Sequence, residues 1–412
     1  MLYEFNPWWE YEDVPKDMLP PTKRDLFEEL VNRLSLRRIE VIVGLRRVGK
    51  TTLMYQLIHH LIERGVSPLN ILYFSFDLEN VNIVEMLKEY EEKVLKNKIR
   101  DSSVYLFFDE IHKLTGWENK IKVLYDLYPK VKIFLSGSAS LNIMRGSSES
   151  LAGRAKYHYL PPLRFREYLR FKNIKIKNFE IQAKTLRIAL WDFIKRGFPE
   201  TVGMGNKEIE EYVKDLILMR IIYRDIPEVF SIRDVSIVWN LAEYILKNPG
   251  VILNVDSLAS QFRRSRRTIM NSLSYLQMTY IIKLIANFRG SYLSGSRKNK
   301  KAYGIHPTLS KTSNEDLLLE SLVRSEMDAE YYWRDGNKEV DFVIANSGIT
   351  GIEVKNKENV TKKDINSLKI FMKKFGVKEG YIVYMGEDEY EMEGIKIMPV
   401  PNFILKWEKN EF

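Results

Sequence analysis

An α/β protein led by a parallel-sheet core, continued by a helical lid, a winged helix-turn-helix and a second α/β domain, is the architecture this sequence predicts. Three observations carry the prediction. A glycine-rich loop, Gly44-Leu45-Arg46-Arg47-Val48-Gly49-Lys50-Thr51, stands between an apolar strand and an amphipathic helix. A run of five apolar residues, Val104 to Phe108, ends in the acidic pair Asp109-Glu110. Near the C-terminus, Asp341 is followed by Glu353 and Lys355 across a polar turn.

The loop has the spacing G-x-x-x-x-G-K-[ST], and its context is the one that spacing requires. Ile39-Glu40-Val41-Ile42-Val43 precedes it as a strand, and a helix with Leu53, Met54, Leu57, Ile58 and Leu61 on one face follows. Backbone N–H groups of Gly44 to Thr52 would curl around a polyphosphate at the positive end of the helix. Lys50 would reach the β- and γ-phosphates, and Thr51 would place its hydroxyl on Mg²⁺. ATP with Mg²⁺ is therefore the expected ligand.

Carboxylates at the C-terminal end of a buried parallel strand sit where open α/β sheets bind ligands. Asp109 is expected to hold Mg²⁺ and Glu110 to orient the attacking water, a group that a hydrolase needs and a metabolite kinase does not. Further strands are expected at Ile71–Phe76, Val131–Leu135 and Tyr157–Leu160. The strand from Val131 runs into Ser136-Gly137-Ser138, whose hydroxyls could sense the γ-phosphate, with Ser138 preferred and Ser136 the alternate. Arg154, and behind it Arg145, is a candidate for stabilising transition-state charge, in cis or on a neighbouring subunit of a homo-oligomer. Arg46 and Arg47 read as solvated, and Trp8 and Trp9 as anchors of an N-terminal arm.

Composition closes several alternatives. With 412 residues, about two to four domains are expected. The absence of cysteine excludes disulfides and thiol chemistry, and five histidines outside any H-E-x-x-H arrangement make a zinc enzyme a poor reading. No run approaches the roughly 18 apolar residues of a membrane span. The N-terminus lacks a signal-peptide pattern, so the cytoplasm is the expected location. The net charge of +9 is concentrated: between Asp256 and Glu315 there is no acidic residue but eleven Lys and Arg. That stretch predicts a winged helix-turn-helix. Val255 to Phe262 forms a first helix, and Ser265 caps a second through Thr268, Ile269, Leu273 and Leu276. Ile281–Ile285 and Lys300–Gly304 are the wing strands. Arg263, Arg264, Arg266 and Arg267 at the start of the second helix, with Arg297 and Lys298 at the wing tip, are the candidate nucleic-acid contacts, and DNA is favoured.

In the tail, alternation in Glu339–Ile344 and Gly351–Lys355 around Asn346-Ser347-Gly348 predicts a hairpin with Asp341, Glu353 and Lys355 on one face. Asp341 and Glu353 could hold a divalent metal while Lys355 activates water. The spacing resembles the PD-(D/E)xK nuclease pattern, with Glu320 matching an upstream acid found in some of those enzymes. A rival reading keeps this domain only as an inactive scaffold for a nucleotide-gated protein interaction.

The loop, Asp109-Glu110, Leu135-Ser136-Gly137-Ser138, Leu151-Ala152-Gly153-Arg154 and Leu160-Pro161-Pro162-Leu163-Arg164-Phe165-Arg166-Glu167-Tyr168-Leu169 together resemble one group of proteins. These are the prokaryotic AAA-type P-loop ATPases that carry a C-terminal nuclease-like domain. Gly197-Phe198-Pro199-Glu200 is similar to that group's G-G-F-P-E signature, with Arg196 in place of the first glycine. The resemblance implies an N-terminal arm over 1–35, a P-loop ATPase core over 36–164 and a helical lid over 165–247. A winged helix over 248–312 and a restriction-endonuclease-like α/β domain over 313–412 complete the expected order.

Overall fold

The computed structural model describes residues 2–77, 81–137, 151–230, 232, 234–290, 300–345 and 348–408. The chain divides into two compact units, Met1–Pro161 and Pro162–Phe412.

Five strands form the sheet of the first unit: β1 (Ile39–Val43), β2 (Ile71–Ser75), β3 (Val104–Asp109), β4 (Val131–Gly137) and β5 (Ala155–Tyr159). Their order is β2-β3-β4-β1-β5, and every pairing is parallel. Parallel strands joined by crossovers need both faces covered, which is why β1, β3 and β4 are nearly continuous apolar runs. The helix Lys50–Glu63 buries the predicted face of Leu53, Met54, Leu57, Ile58 and Leu61. Edge strand β2 is covered by the N-terminal arm. Asn6 pairs with the Tyr73 main chain in both directions (2.9 and 2.7 Å), and both Trp8 and Trp9 donate their indole N–H to the Ile71 carbonyl. The tryptophans thus anchor the arm at the N-terminal end of β2.

The second unit carries nine further strands: β6 (Val251–Leu253), β7 (Ile282–Asn287), β8 (Lys300–Gly304), β9 (Tyr331–Asp335), β10 (Lys338–Ile344), β11 (Thr350–Lys355), β12 (Glu379–Tyr384), β13 (Tyr390–Met392) and β14 (Ile395–Pro399). They form one mixed sheet in the order β13-β14-β12-β11-β10-β9-β7-β8-β6. The helices Ser236–Lys247, Val255–Gln261 and Arg266–Met278 precede the β7–β8 hairpin, and the Ser265 hydroxyl caps the third by accepting from Thr268 N–H (3.1 Å). The hairpin does not stand alone: β7 pairs in parallel with β9 at Ala286–Tyr331 and Asn287–Tyr332. The Asn287 amide extends that join by exchanging two hydrogen bonds with the Arg334 main chain.

This continuity revises the expected partition. Helices Phe165–Phe171 and Ala183–Ile194, expected in a lid on the ATPase core, bury Phe165, Leu169, Leu186, Leu190 and Phe193 in a core shared with Leu319, Leu322, Phe342, Tyr381 and Phe403. Residues 165–194, the β7–β8 hairpin and the last α/β segment are therefore parts of one folded unit, because their apolar faces have each other as partners.

The turn at Gly197 shows how tightly that unit closes. Gly197 N–H donates to the Thr308 hydroxyl and its carbonyl accepts from Leu163 N–H, both at 2.7 Å. A Cβ at Gly197 would lie 2.3 Å from Nδ1 of His306, whose ring is buried and held at Thr308. Arg196, where the resembled signature has a glycine, fits because its guanidinium turns to Asp192 and to the Met204 carbonyl. Gly197→Ala is expected to destabilise the second unit by about 1–3 kcal/mol, the usual cost of overpacking a filled site. A denaturant midpoint equal to wild type would show that the ring yields freely.

Candidate functional site

At the C-terminal ends of β1, β3 and β4 the phosphate-binding loop and the acidic pair converge. Arg47 and Gly49 both have positive φ (67° and 95°), which bends the loop before the helix begins at Lys50. Leu45 and Val48 are buried and fasten the loop to the core. Lys50 is buried, and its ammonium donates to the carbonyls of Gly44 (3.2 Å) and Leu45 (3.0 Å), drawn back over the loop. Arg46 is half-buried and Arg47 exposed.

Thr51 donates its hydroxyl to Asp109 Oδ2 at 2.5 Å. The same oxygen accepts the Tyr73 phenol from β2 (3.0 Å), while Oδ1 accepts the Ser136 hydroxyl from β4 and the Glu110 N–H (3.0 Å). The strand order explains this convergence: β4 lies between β1 and β3, so its last residues arrive between the loop and the acidic pair. Burial and the negative Asp109 push the Tyr73 phenol far above its usual range, so it stays a donor. A hydroxyl and a carboxylate in contact at the loop's mouth are an oxygen donor set suited to Mg²⁺. Glu110 sits at φ 51°, a conformation uncommon outside glycine, with its carboxylate 3.3 Å from His112 Nδ1.

Two candidates stand elsewhere. Arg154 precedes β5 at its N-terminal end, and the strand's five residues, at about 3.3 Å each, separate it from the loop's end of the sheet. It forks onto Asp126 (2.9 and 3.2 Å), so a role in cis is excluded by position. Ser138 and Arg145 lie outside the described residues, as do Arg297 and Lys298. One residue absent from the sequence reading belongs here. Buried Arg24 donates to the carbonyl of Val48 within the loop and to that of Pro161 (2.9 Å), tying the loop to the chain beyond β5. No local pattern around Arg24 announces this, since both its partners are main-chain oxygens remote in sequence.

In the second unit the predicted β10–β11 hairpin is present, antiparallel, with Phe342 opposite Ile352. Asp341 follows an irregularity in the β9–β10 register between Val340 and Val343, and its carboxylate accepts from Val354 N–H (2.8 Å). Glu353 is buried and accepts from Lys355 (2.7 Å) through Oε1, while Oε2 has no hydrogen-bond partner among the described residues. Burial, and then the neighbouring Glu353 and Glu320, push the Asp341 carboxyl well above its usual range. Lys301 of β8 enters this acidic group, with its ammonium 3.2 Å from Glu320 Oε1 and 2.5 Å from Glu339 Oε1. Among the described residues no three His, Asp or Glu are placed to share a metal ion. Two ammonium groups, those of Lys355 and Lys301, therefore stand among the carboxylates where the sequence reading put a divalent metal. Arg263, Arg264, Arg266 and Arg267 are all exposed around the start of helix Arg266–Met278. Arg264 pairs with Asp234 (2.8 Å) and Arg266 with Asp256, so acids from outside the acid-free stretch offset part of its charge.

A family model described as an AAA domain matches residues 36–169. Two domains of unknown function, DUF8612 and DUF4143, match residues 193–311 and 312–403. The uncharacterized protein MJ1544 of Methanocaldococcus jannaschii is 30% identical over 381 residues, covering 86% of this chain and 83% of its own. The chain belongs to the MJ1544 family. An uncharacterized protein of Haemophilus influenzae is 24% identical over 93% of this chain and 98% of its own. Among solved structures, AMPPCP-bound DnaA from Aquifex aeolicus covers 66% of this chain and 92% of its own at 16% identity and a TM-score of 0.33, a likeness too loose to carry an argument.

This member of the MJ1544 family thus carries an AAA domain with a phosphate-binding loop, built on a five-stranded parallel sheet. No described helix is long and apolar enough to cross a membrane.

Proposed function

We propose that the first unit binds ATP with Mg²⁺ and hydrolyses it, and that turnover serves an action of the second unit on nucleic acid. The contact between the Thr51 hydroxyl and Asp109 carries the first part, because it brings both ends of a Mg²⁺ donor set together beside Lys50. The backbone of Gly44 to Thr52 would cradle the phosphates, and Lys50 would swing from its carbonyl partners onto the β- and γ-phosphates. Mg²⁺ would neutralise phosphate charge. Glu110 would orient water, and Ser136, whose hydroxyl donates to Asp109, would report the phosphate state, a role the sequence alone assigned first to Ser138.

The second part rests on the order of three helices and a hairpin, which supports a winged helix presenting Arg263 and Arg267 at the mouth of a helix suited to a major groove. The sheet that continues through β10 and β11 supports a restriction-endonuclease-like domain. Arg154 retains only a role on a neighbouring copy. The test is duplex DNA binding across a salt series. Replacing Arg263, Arg264, Arg266 and Arg267 with Ala is expected to weaken binding at low salt and flatten the salt dependence, by a slope of about 0.9 for each phosphate no longer neutralised. Arg263 and Arg267 are expected to contribute most, since Arg264 and Arg266 already have carboxylate partners.

A second reading, a nucleotide-gated protein-interaction switch on an inactive nuclease-like scaffold, is favoured by those same ion pairs and by Lys301 in the acidic group. Absence of DNA binding even at low salt, with ATP turnover intact, would select it.

A further inference from the structure

The acidic group of the second unit receives its cation from the chain itself. Lys301 is 4% exposed. Its ammonium bridges Glu320 on helix Glu315–Met327 and Glu339 on β10, with Asp341 within electrostatic range. Tyr303, two residues along β8 and so on the same face, donates its phenol to the same Glu320 oxygen at 2.5 Å. One strand therefore sends both an ammonium and a hydroxyl into the carboxylates. It is also the strand of the basic hairpin, held in place by the β7–β9 join.

A divalent ion in such a group needs carboxylate oxygens at roughly 2.0–2.6 Å and neighbours free of like charge. Lys301 takes one oxygen from each of two carboxylates and sets a fixed positive charge near a third. We propose that Lys301 is a tethered counter-ion that neutralises the carboxylates of Glu320, Glu339 and Asp341, so that this acidic group takes no divalent metal. The native centre then joins the basic hairpin to the α/β sheet and catalyses no metal-dependent cleavage. Beside Asp341, Glu353 keeps a buried oxygen without a hydrogen-bond partner among the described residues, so these two carboxylates are the ones Mn²⁺ would draw on once the ammonium is gone. Removing the ammonium frees the carboxylates that Mn²⁺ would take.

Lys301 plays no part in the ATPase reading, and its role is tested without nucleotide. Mn²⁺ binding to the full chain is followed by electron paramagnetic resonance for wild type, Glu353→Gln, Lys301→Met and the double variant. Wild type and Glu353→Gln are expected to titrate alike, because the native centre takes no ion. Lys301→Met is expected to gain one site, bound at least tenfold more tightly than anything in wild type, and the double variant to lose it. A wild-type site abolished by Glu353→Gln overturns the proposal, as does a folded Lys301→Met chain that gains no Mn²⁺. Should Lys301→Met fail to fold, wild type against Glu353→Gln decides alone: identical titrations support the proposal and a lost site overturns it.

Discussion

Glu110→Gln is expected to bind ATP within a few-fold of wild type and to hydrolyse it about 10²–10⁴-fold more slowly, the usual worth of a positioned acid–base group. The substitution keeps the side chain's size, and the Glu110 N–H remains on Asp109 Oδ1, so the Thr51–Asp109 contact should persist. What is lost is the carboxylate charge that would polarise water, together with its approach to His112. Lys50→Ala should behave differently, since the ammonium is the group expected to meet the phosphates, and binding itself should fail. Isothermal titration with ATP–Mg²⁺ and a phosphate-release assay separate the two effects. Normal turnover by Glu110→Gln would sink the assignment of Glu110, and tight ATP binding by Lys50→Ala would sink that of the loop.

The parts of this site that were legible in the sequence are those whose logic is local. Strand, glycine-rich loop and helix are contiguous, so Gly44 to Thr51 announced their own geometry, and the apolar run before Asp109 announced a buried strand. Likewise Ser265 precedes the helix it caps, and β10 and β11 are close enough in sequence for their antiparallel pairing to be read from their alternation. What the sequence could not supply was the order of strands across the sheet. Only once β4 lies between β1 and β3 does Ser136 fall on Asp109, and only with β2 beside β3 does Tyr73 reach the same carboxylate. Arg154 shows the same limit. Its neighbourhood resembles a trigger motif, but only the parallel pairing of β5 with β1 puts it at the end of the sheet away from the loop, where its remaining role is on a neighbouring copy. Charge counting along the chain overstates the free charge for a related reason: Asp234 and Asp256 fold back onto Arg264 and Arg266, and Lys301 turns inward to Glu320 and Glu339. The apolar helices after Pro162 were readable as helices, but periodicity names a face and not its partner.

Glu40 is where reading β1 as a plain apolar strand fell furthest short, and it carries the largest stability effect expected of the first unit. Its carboxylate is fully buried in the central sheet, bonded by Arg33 (2.9 Å), Lys132 (2.9 Å) and His158 (2.7 Å). Lys132 also donates to the carbonyls of Leu36 and Arg38, so the cluster ties the chain entering β1 to β4 and β5. Burial opposes the charged form, but the hydrogen bonds from His158, Arg33 and Lys132 outweigh it and hold the carboxyl down at about 2. Glu40→Ala would leave those donors buried around a void, and removing one partner of a buried ionic group costs about 3–5 kcal/mol. The pH dependence follows from the depressed value. The stability contributed by Glu40 is fully present above its unfolded pKa of 4.5, and is lost as pH falls from there through about 2. Glu40→Gln should therefore be less stable than wild type at neutral pH, with a difference that narrows as pH falls from 4.5 toward 2. Denaturant melts at several pH values, followed through the tryptophans Trp8, Trp9 and Trp117 of the first unit with the other four replaced by Phe, would resolve this. A gap that stays constant down to pH 2 would mean that the buried carboxylate is neutral in the native sheet.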